Sequence, residues 1–261
     1  MCIRDSENAY HGDTLGASSV GGVSRFVKGY GATGLDVYRV ASFEDLQRLP
    51  EVVVETASAV VIEPLIQGVN QMRPWPKGML ADLRAWTTQH GIHLILDEVM
   101  TGFGRTGKMF ACQNEEVIPD FLCLAKGLTG GTTPLAATLT RCEIYEGFKG
   151  PDRTFFYGHS YTGNALGCAV ALANLSLFES ENTLAGIEEK GGYLERELKK
   201  IPWIQEVRRV GLILGFDVGE CGKEFCLKLR ERGVLTRPIL NTIVIMPPLS
   251  VTMDELKFLI K

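Results

Sequence analysis

The feature that most constrains this 261-residue chain is a set of three short apolar runs, each delivering an ionisable residue at its end. Ala59-Val60-Val61-Ile62 runs into Glu63-Pro64, His93-Leu94-Ile95-Leu96 into Asp97-Glu98, and Phe121-Leu122-Cys123-Leu124 into Ala125-Lys126-Gly127. Unbroken apolar runs of this length are strands buried on both faces. Between the first two lies a helical pattern from about Lys77 to His90, with Leu80, Leu83 and Trp86 on one stripe. Strand, helix, strand is a βαβ unit and predicts a parallel sheet in an α/β fold. Open sheets of that kind bind ligands beyond the carboxyl ends of their strands, where Asp97 and Lys126 fall.

The rest of the chain extends the pattern. Leu135 to Leu139 closes the sheet portion, and Arg141 to Phe148 is a short helix. A helix from Ala165 to Glu179 is rich in small residues (Gly167, Ala169, Ala171, Ala173), which predicts close packing, and a charged amphipathic helix follows over Thr183 to Lys200. After Pro202 come two short strands around Gly211, a helix over Glu224 to Arg232, a strand over Ile243 to Met246 and a helix over Met253 to Ile260. This predicts a small α+β domain over 183–261, behind a large domain ending near 182. At the other end, Asp13 is placed to cap a short helix through Val20. Residues 21 to 40 read as a long loop, and Ser42 caps a helix to about Leu49. Met1 to Ser6 shows neither helical nor strand periodicity.

Composition narrows the function. A net charge of −4 with 22% charged residues gives no nucleic-acid surface. No apolar run approaches the roughly 18 residues of a membrane span and no signal peptide is visible, so a cytoplasmic chain without a membrane partner is expected. The seven cysteines are an odd number, no pair has C-x-x-C spacing, and Cys221 and Cys226 have no histidines beside them. Reduced thiols and no metal site follow.

Two motifs fail on inspection. Gly102-Phe103-Gly104-Arg105-Thr106-Gly107 satisfies the dinucleotide fingerprint. Its required acid, however, should end the next strand, whereas Asp120 precedes one, and Asp97-Glu98 just upstream would repel a pyrophosphate. The same stretch through Lys108 matches a P-loop, but Met109 stands where a magnesium-binding hydroxyl is required. Pyridoxal 5'-phosphate fits better. It needs a lysine amine for its aldehyde, a carboxylate beside its pyridine nitrogen, and glycines that let a bulky group approach the backbone. Lys126, Asp97 and Gly127 with Gly130-Gly131 supply these. Each residue alone has an ordinary explanation, a solvent-facing lysine and a loop cap; together they weaken it.

Asp97-Glu98-Val99, Gly102 to Gly107 and Leu124-Ala125-Lys126-Gly127 resemble the class III aminotransferases of pyridoxal phosphate fold type I. Tyr10-His11-Gly12-Asp13-Thr14, Ile62-Glu63-Pro64, Gly158-His159-Ser160-Tyr161-Thr162-Gly163-Asn164 and Thr236-Arg237-Pro238 extend the resemblance over nearly the whole chain from Asn8. It implies that Lys126 is covalently attached to the cofactor and shuttles protons, and that Asp97 pairs with the ring nitrogen. Tyr10 would lie over the ring and touch substrate, with His11 beside it. His159 and Ser160 would reach the cofactor phosphate across a homodimer interface, with Gly158 near the substrate. Arg237 would bind the substrate carboxylate; Glu63 and Glu98 are weaker candidates. Within the family the stretches are nearest to members of biotin biosynthesis, implying amination of 8-amino-7-oxononanoate to 7,8-diaminononanoate with adenosylmethionine or lysine as donor. Another ω-aminotransferase, acting on ornithine, 4-aminobutyrate or a diamine, and a non-catalytic remnant are the alternatives. The family's phosphate-cupping loop lies upstream of the Tyr-His-Gly motif and is not in this sequence. Residues 1–7 do not resemble what precedes the motif in relatives, so 1–182 is expected to be an incomplete large domain, and the chain alone to bind the cofactor weakly.

Overall fold

The structure, a computed structural model, describes residues 2–23 and 35–261. Six described strands form one sheet: β1 (Cys2–Ser6), β2 (Asp36–Val40), β3 (Ala57–Ile62), β4 (His93–Asp97), β5 (Phe121–Leu124) and β6 (Ala137–Thr140), in the order β2-β1-β3-β4-β5-β6. All neighbours are parallel except β5 and β6. The three apolar runs are thus its centre, β3, β4 and β5, side by side.

Alternation across the sheet divides the core. Val60 and Ile62, Leu94 and Leu96, and Leu122 and Leu124 bury against Leu80, Leu83 and Trp86 of the helix Met79–Gln89. Val61 and Ile95 face the other way, toward Ile3 and Val20. The helix starts at Gly78, whose N–H, with that of Ala81, donates to Glu115. Asp120 closes the amino end of the sheet, accepting from the Leu94 N–H and from Arg84, 2.8 and 2.7 Å. It sits at the opposite end from the site, the physical reason that the dinucleotide reading of the glycine run fails.

Several expectations need correction. Cys2–Ser6 is a strand paired with β2 and β3, although only Ile3 in it is aliphatic; Asp5 and Ser6 are as buried as Ile3, which conceals the apolar pattern. Part of the stretch expected to be loop is strand, Asp36–Val40; residues 24–34 lie outside the described residues. Asp13 caps no helix. Thr14 holds the N-cap of Leu15–Val20 without a side-chain bond, and the Asp13 side chain hydrogen-bonds Tyr10 instead. The helix Ala165–Ser180 buries two of the small residues expected to pack closely, Gly167 and Ala171, and leaves Ala169 and Ala173 exposed. Its large apolar side chains Leu166 and Leu172 each stand 67% exposed.

From Ile187 a second layer builds on β7 (Gln205–Val210), β8 (Ile213–Asp217), β9 (Pro238–Ile239) and β10 (Thr242–Ile245), in the order β9-β10-β8-β7. One face of this antiparallel sheet packs Leu212, Leu214, Phe216 and Ile243 against the helices Ile187–Lys199, Gly222–Glu231 and Met253–Ile260. The other face turns Ile213 and Ile239 onto Ile66 and Met72, in the hairpin that follows β3. No described helix is long and apolar enough to cross a membrane.

The glycine run is where the two sheets lock. The Leu212 N–H donates to the Arg105 carbonyl at 2.9 Å, and the Arg105 guanidinium donates to the Pro247 carbonyl. A Cβ on Gly211 would stand 2.3 Å from the Arg105 oxygen, so glycine is required there for space as well as for its φ of 56°.

Candidate active site

Four strands adjacent in the parallel sheet each end on one cavity of about 780 Å³. Beyond β1 come Tyr10 and His11, beyond β3 Glu63, at the end of β4 Asp97, and beyond β5 Lys126; all of them line it, as does Arg237 just before β9. Parallel strands point their carboxyl ends the same way, so residues distant in sequence meet here without any of them leaving its strand end by more than a few positions.

Asp97 is fully engaged. Its Oδ2 lies 2.7 Å from His11 Nδ1, and its Oδ1 accepts the Val99 N–H at 3.0 Å. His11 Nε2 lies 3.2 Å from Asp5 Oδ1. Burial works against a charged imidazole, but the hydrogen bonds to Asp5 and Asp97 outweigh it, and the His11 pKa is pushed up to about 10. His11 therefore carries positive charge behind the Asp97 carboxylate at neutral pH.

Glu63 is buried and accepts two backbone N–H groups, from Gly68 at 3.0 Å and Tyr10 at 3.3 Å. Burial pushes its carboxyl up to about 7 despite these bonds. The arrangement ties the Tyr10 backbone to the end of β3. Burial, and then the hydrogen bond to Asp13, raise the Tyr10 phenol, with Arg237 opposing, so the hydroxyl keeps its proton. Glu98 faces away from the cavity: it accepts the N–H groups of Ala111 and Cys112 at 2.5 and 2.8 Å and serves as the cap of the Ala111–Glu115 turn.

Lys126 is exposed to the cavity and has a φ of 42°, a left-handed backbone that side chains adopt only under constraint. Gly127 beside it packs on Phe103, whose Cβ a substituent there would meet at 2.8 Å. Gly131 has open space where a Cβ would stand. Arg237 makes no salt bridge among the described residues, and its strand is held in place by the Thr236 hydroxyl on the Val244 carbonyl. Gly158, His159 and Ser160 are exposed and do not line the cavity; the His159 N–H is bonded to the Thr162 hydroxyl within its own turn.

Other side chains line the cavity as well, among them Arg105, Phe103 and Asn174. The first two lay in the glycine run, where the strongest signal was an arginine among glycines with no acidic neighbour.

Residues 3–261 match the Aminotransferase class-III family. The chain belongs to that family. It is 42% identical to a protein of Nitratidesulfovibrio vulgaris Hildenborough named adenosylmethionine-8-amino-7-oxononanoate aminotransferase, over 97% of this chain and 54% of that protein. The like-named protein of Geobacter sulfurreducens is 40% identical, over 97% of this chain and 64% of that one. The chain thus spans between half and two thirds of the length of these relatives. Among solved structures, the class III fold of adenosylmethionine-8-amino-7-oxononanoate aminotransferase from Methanocaldococcus jannaschii superposes with a TM-score of 0.93 at 38% identity, covering 99% of this chain and 66% of that one. The ornithine aminotransferase of Toxoplasma gondii superposes at 0.90 with 28% identity, covering 99% and 62%. The expected fold, a partial type I large domain with a mostly parallel sheet, is the one observed.

Proposed function

We propose that the protein to which this sequence belongs transfers amino groups with pyridoxal 5'-phosphate, and that its acceptor is 8-amino-7-oxononanoate, aminated to 7,8-diaminononanoate in biotin biosynthesis. The observation that carries the reading is the convergence of Tyr10, Glu63, Asp97 and Lys126 on one cavity that Arg237 also lines. The relatives' names support the acceptor, and adenosylmethionine as donor.

The residues present fit the cofactor: a lysine amine open to the cavity, a carboxylate backed by an imidazolium, and Gly131 beyond the lysine with open space where a Cβ would stand. When bound, pyridoxal phosphate supplies an aldehyde for the amine and a ring that absorbs electrons. The chain's residues do the rest. Lys126 Nζ is the covalent anchor and carries a proton to and from the substrate carbon. Asp97 holds the proton on the ring nitrogen, and His11 fixes the carboxylate's orientation and charge. Tyr10, its hydroxyl protonated, supplies an aromatic face and a donor. Glu63 keeps Tyr10 in place from behind. Arg237 takes the acceptor's carboxylate with its planar fork.

The protein works as a cytoplasmic homodimer. The run of exposed apolar side chains between 155 and 172 supports this, with Phe156 92% and Tyr161 75% exposed and Leu166 and Leu172 exposed as well. Gly158, His159 and Ser160 are exposed in the same stretch, where they serve the phosphate and substrate of the partner's cavity.

The test is to incubate the chain with pyridoxal phosphate, reduce with borohydride and map the label. Label on Lys126, lost in Lys126→Ala, is expected. Amine exchange is then followed with adenosylmethionine and 8-amino-7-oxononanoate, against ornithine or 4-aminobutyrate with 2-oxoglutarate. Label spread evenly over surface lysines would sink the cofactor assignment, and turnover of the second pair alone would sink the substrate assignment.

A further inference from the structure

We infer that Asn174 is a positioning residue for Lys126: it holds from outside the turn that presents the lysine to the cavity. The inference rests on the reading of Lys126 as the anchor. Lys126 opens the single turn Lys126–Thr129, and its backbone sits in the left-handed region. The turn's own backbone bonds are short-range. Leu128 N–H reaches the Ala125 carbonyl at 3.0 Å, Gly130 N–H the Gly127 carbonyl at 3.1 Å and Gly131 N–H the Lys126 carbonyl at 3.2 Å. Such a closed loop of local bonds sets the turn's shape but not its orientation to the sheet.

Asn174, from the helix Ala165–Ser180, provides that orientation. Its Nδ2 donates to the Gly127 carbonyl at 2.8 Å and to the Leu128 carbonyl at 3.1 Å, which uses both amide protons. Its Oδ1 stands against Gly130, where a Cβ would come within 2.9 Å, at a φ of 60°. Phe103 closes the other side of the turn against Gly127. Asparagine is a poor helix former, and this helix is otherwise almost wholly aliphatic, from Ala165 to Leu177. The carbonyls of the lysine turn account for its presence there. No other charged or amide side chain of the helix reaches that turn among the described hydrogen bonds.

The experiment compares the parent chain with Asn174→Leu, similar in volume but without donors, and with Asn174→Asp, which sets a carboxylate against the two carbonyls. Amide hydrogen exchange is measured on a peptide spanning 126–132, and borohydride-trapped pyridoxal phosphate is mapped over all lysines. Both variants are expected to speed exchange in that peptide about tenfold, equivalent to about 1.4 kcal/mol, with the urea midpoint little changed. Label is expected to shift from Lys126 to other lysines by a similar factor. Gly130→Ala is expected to act through the same contact, so its effect and that of Asn174→Leu should not add. Parent-like exchange in both variants would overturn the inference. If the parent takes no label at Lys126, the proposed function fails, and the exchange result still decides this one.

Discussion

At the carboxyl ends of the parallel strands, the carboxylates and His11 are held from within the chain; along residues 155–172, the large side chains have almost nothing over them. Asp97 is gripped by His11 and the Val99 N–H, and Glu63 by two backbone donors. Phe156, Tyr161, Leu166 and Leu172 stand in solvent, with His159 among them. The first region is preorganised: its hydrogen bonds exist before any ligand arrives, so binding there costs little ordering. The second is exposed, and its proposed role depends on a second surface. On the function proposed above, ring chemistry belongs to the fold and phosphate anchoring to association.

The comparison breaks most visibly at Asp97. Asp97→Ala is expected to slow amine exchange by about 10²–10³-fold, read by single-turnover absorbance, while leaving the association state unchanged. An exchange rate within a few-fold of the parent would mean that the preorganised end is not where the ring is held.

Next in size is the exposed face. Leu172→Glu is expected to weaken self-association by about 100-fold, the cost of a charge in an apolar contact, by sedimentation velocity. In that variant His159→Ala should no longer alter cofactor affinity, whereas in the parent it should. A monomer in which His159→Ala still lowers affinity would join the two regions that the structure separates.

His11 gives a smaller effect and a pH signature. Its folded pKa of about 10 lies above the free value of 6.5. Its contribution to stability is therefore complete below about pH 6.5 and is lost as pH rises through about 10. The parent's urea midpoint should fall across that window, and the fall should be shallower in His11→Ala. The same substitution is expected to slow amine exchange about tenfold, because the imidazole acts on the Asp97 carboxylate only from behind.

Smallest at the site is Glu98→Gln. Replacing a buried carboxylate that accepts two backbone N–H groups should cost about 1–3 kcal/mol of unfolding free energy, by urea titration. Labelling of Lys126 should be untouched, which separates the capping glutamate from the aspartate beside it.

What the residues disclosed follows the same division. β3, β4 and β5 were legible because burial on both faces leaves an unbroken apolar run, and the charges at their ends were legible as a site for that reason. β1 was not, since two of its buried positions are Asp5 and Ser6. β2 was missed because its residues Asp36 to Val40 alternate without a clear apolar face. His11 was placed beside the ring by resemblance alone; that it stands behind Asp97 depends on how two strand ends face each other, which no local pattern encodes. In the helix Ala165–Ser180 the small residues signal close packing, which Gly167 and Ala171 meet and the exposed Ala169 and Ala173 do not.

The lock between Gly211 and Arg105 has a consequence for how this architecture can change its diet. Arg237 and Lys126 belong to different sheets, and the contact that indexes those sheets is main chain on main chain, at a separation that excludes even a methyl group. At Gly211 itself no side chain stands to be exchanged, and the Arg105 side chain beside it is spent on the Pro247 carbonyl. If Arg237 takes the acid as proposed, acids of other lengths call for a moved arginine or a different turn carrying it, not for a change at that joint. On that proposal the spacing between Lys126 and Arg237 is a fixed ruler, and only the mark on the ruler can move.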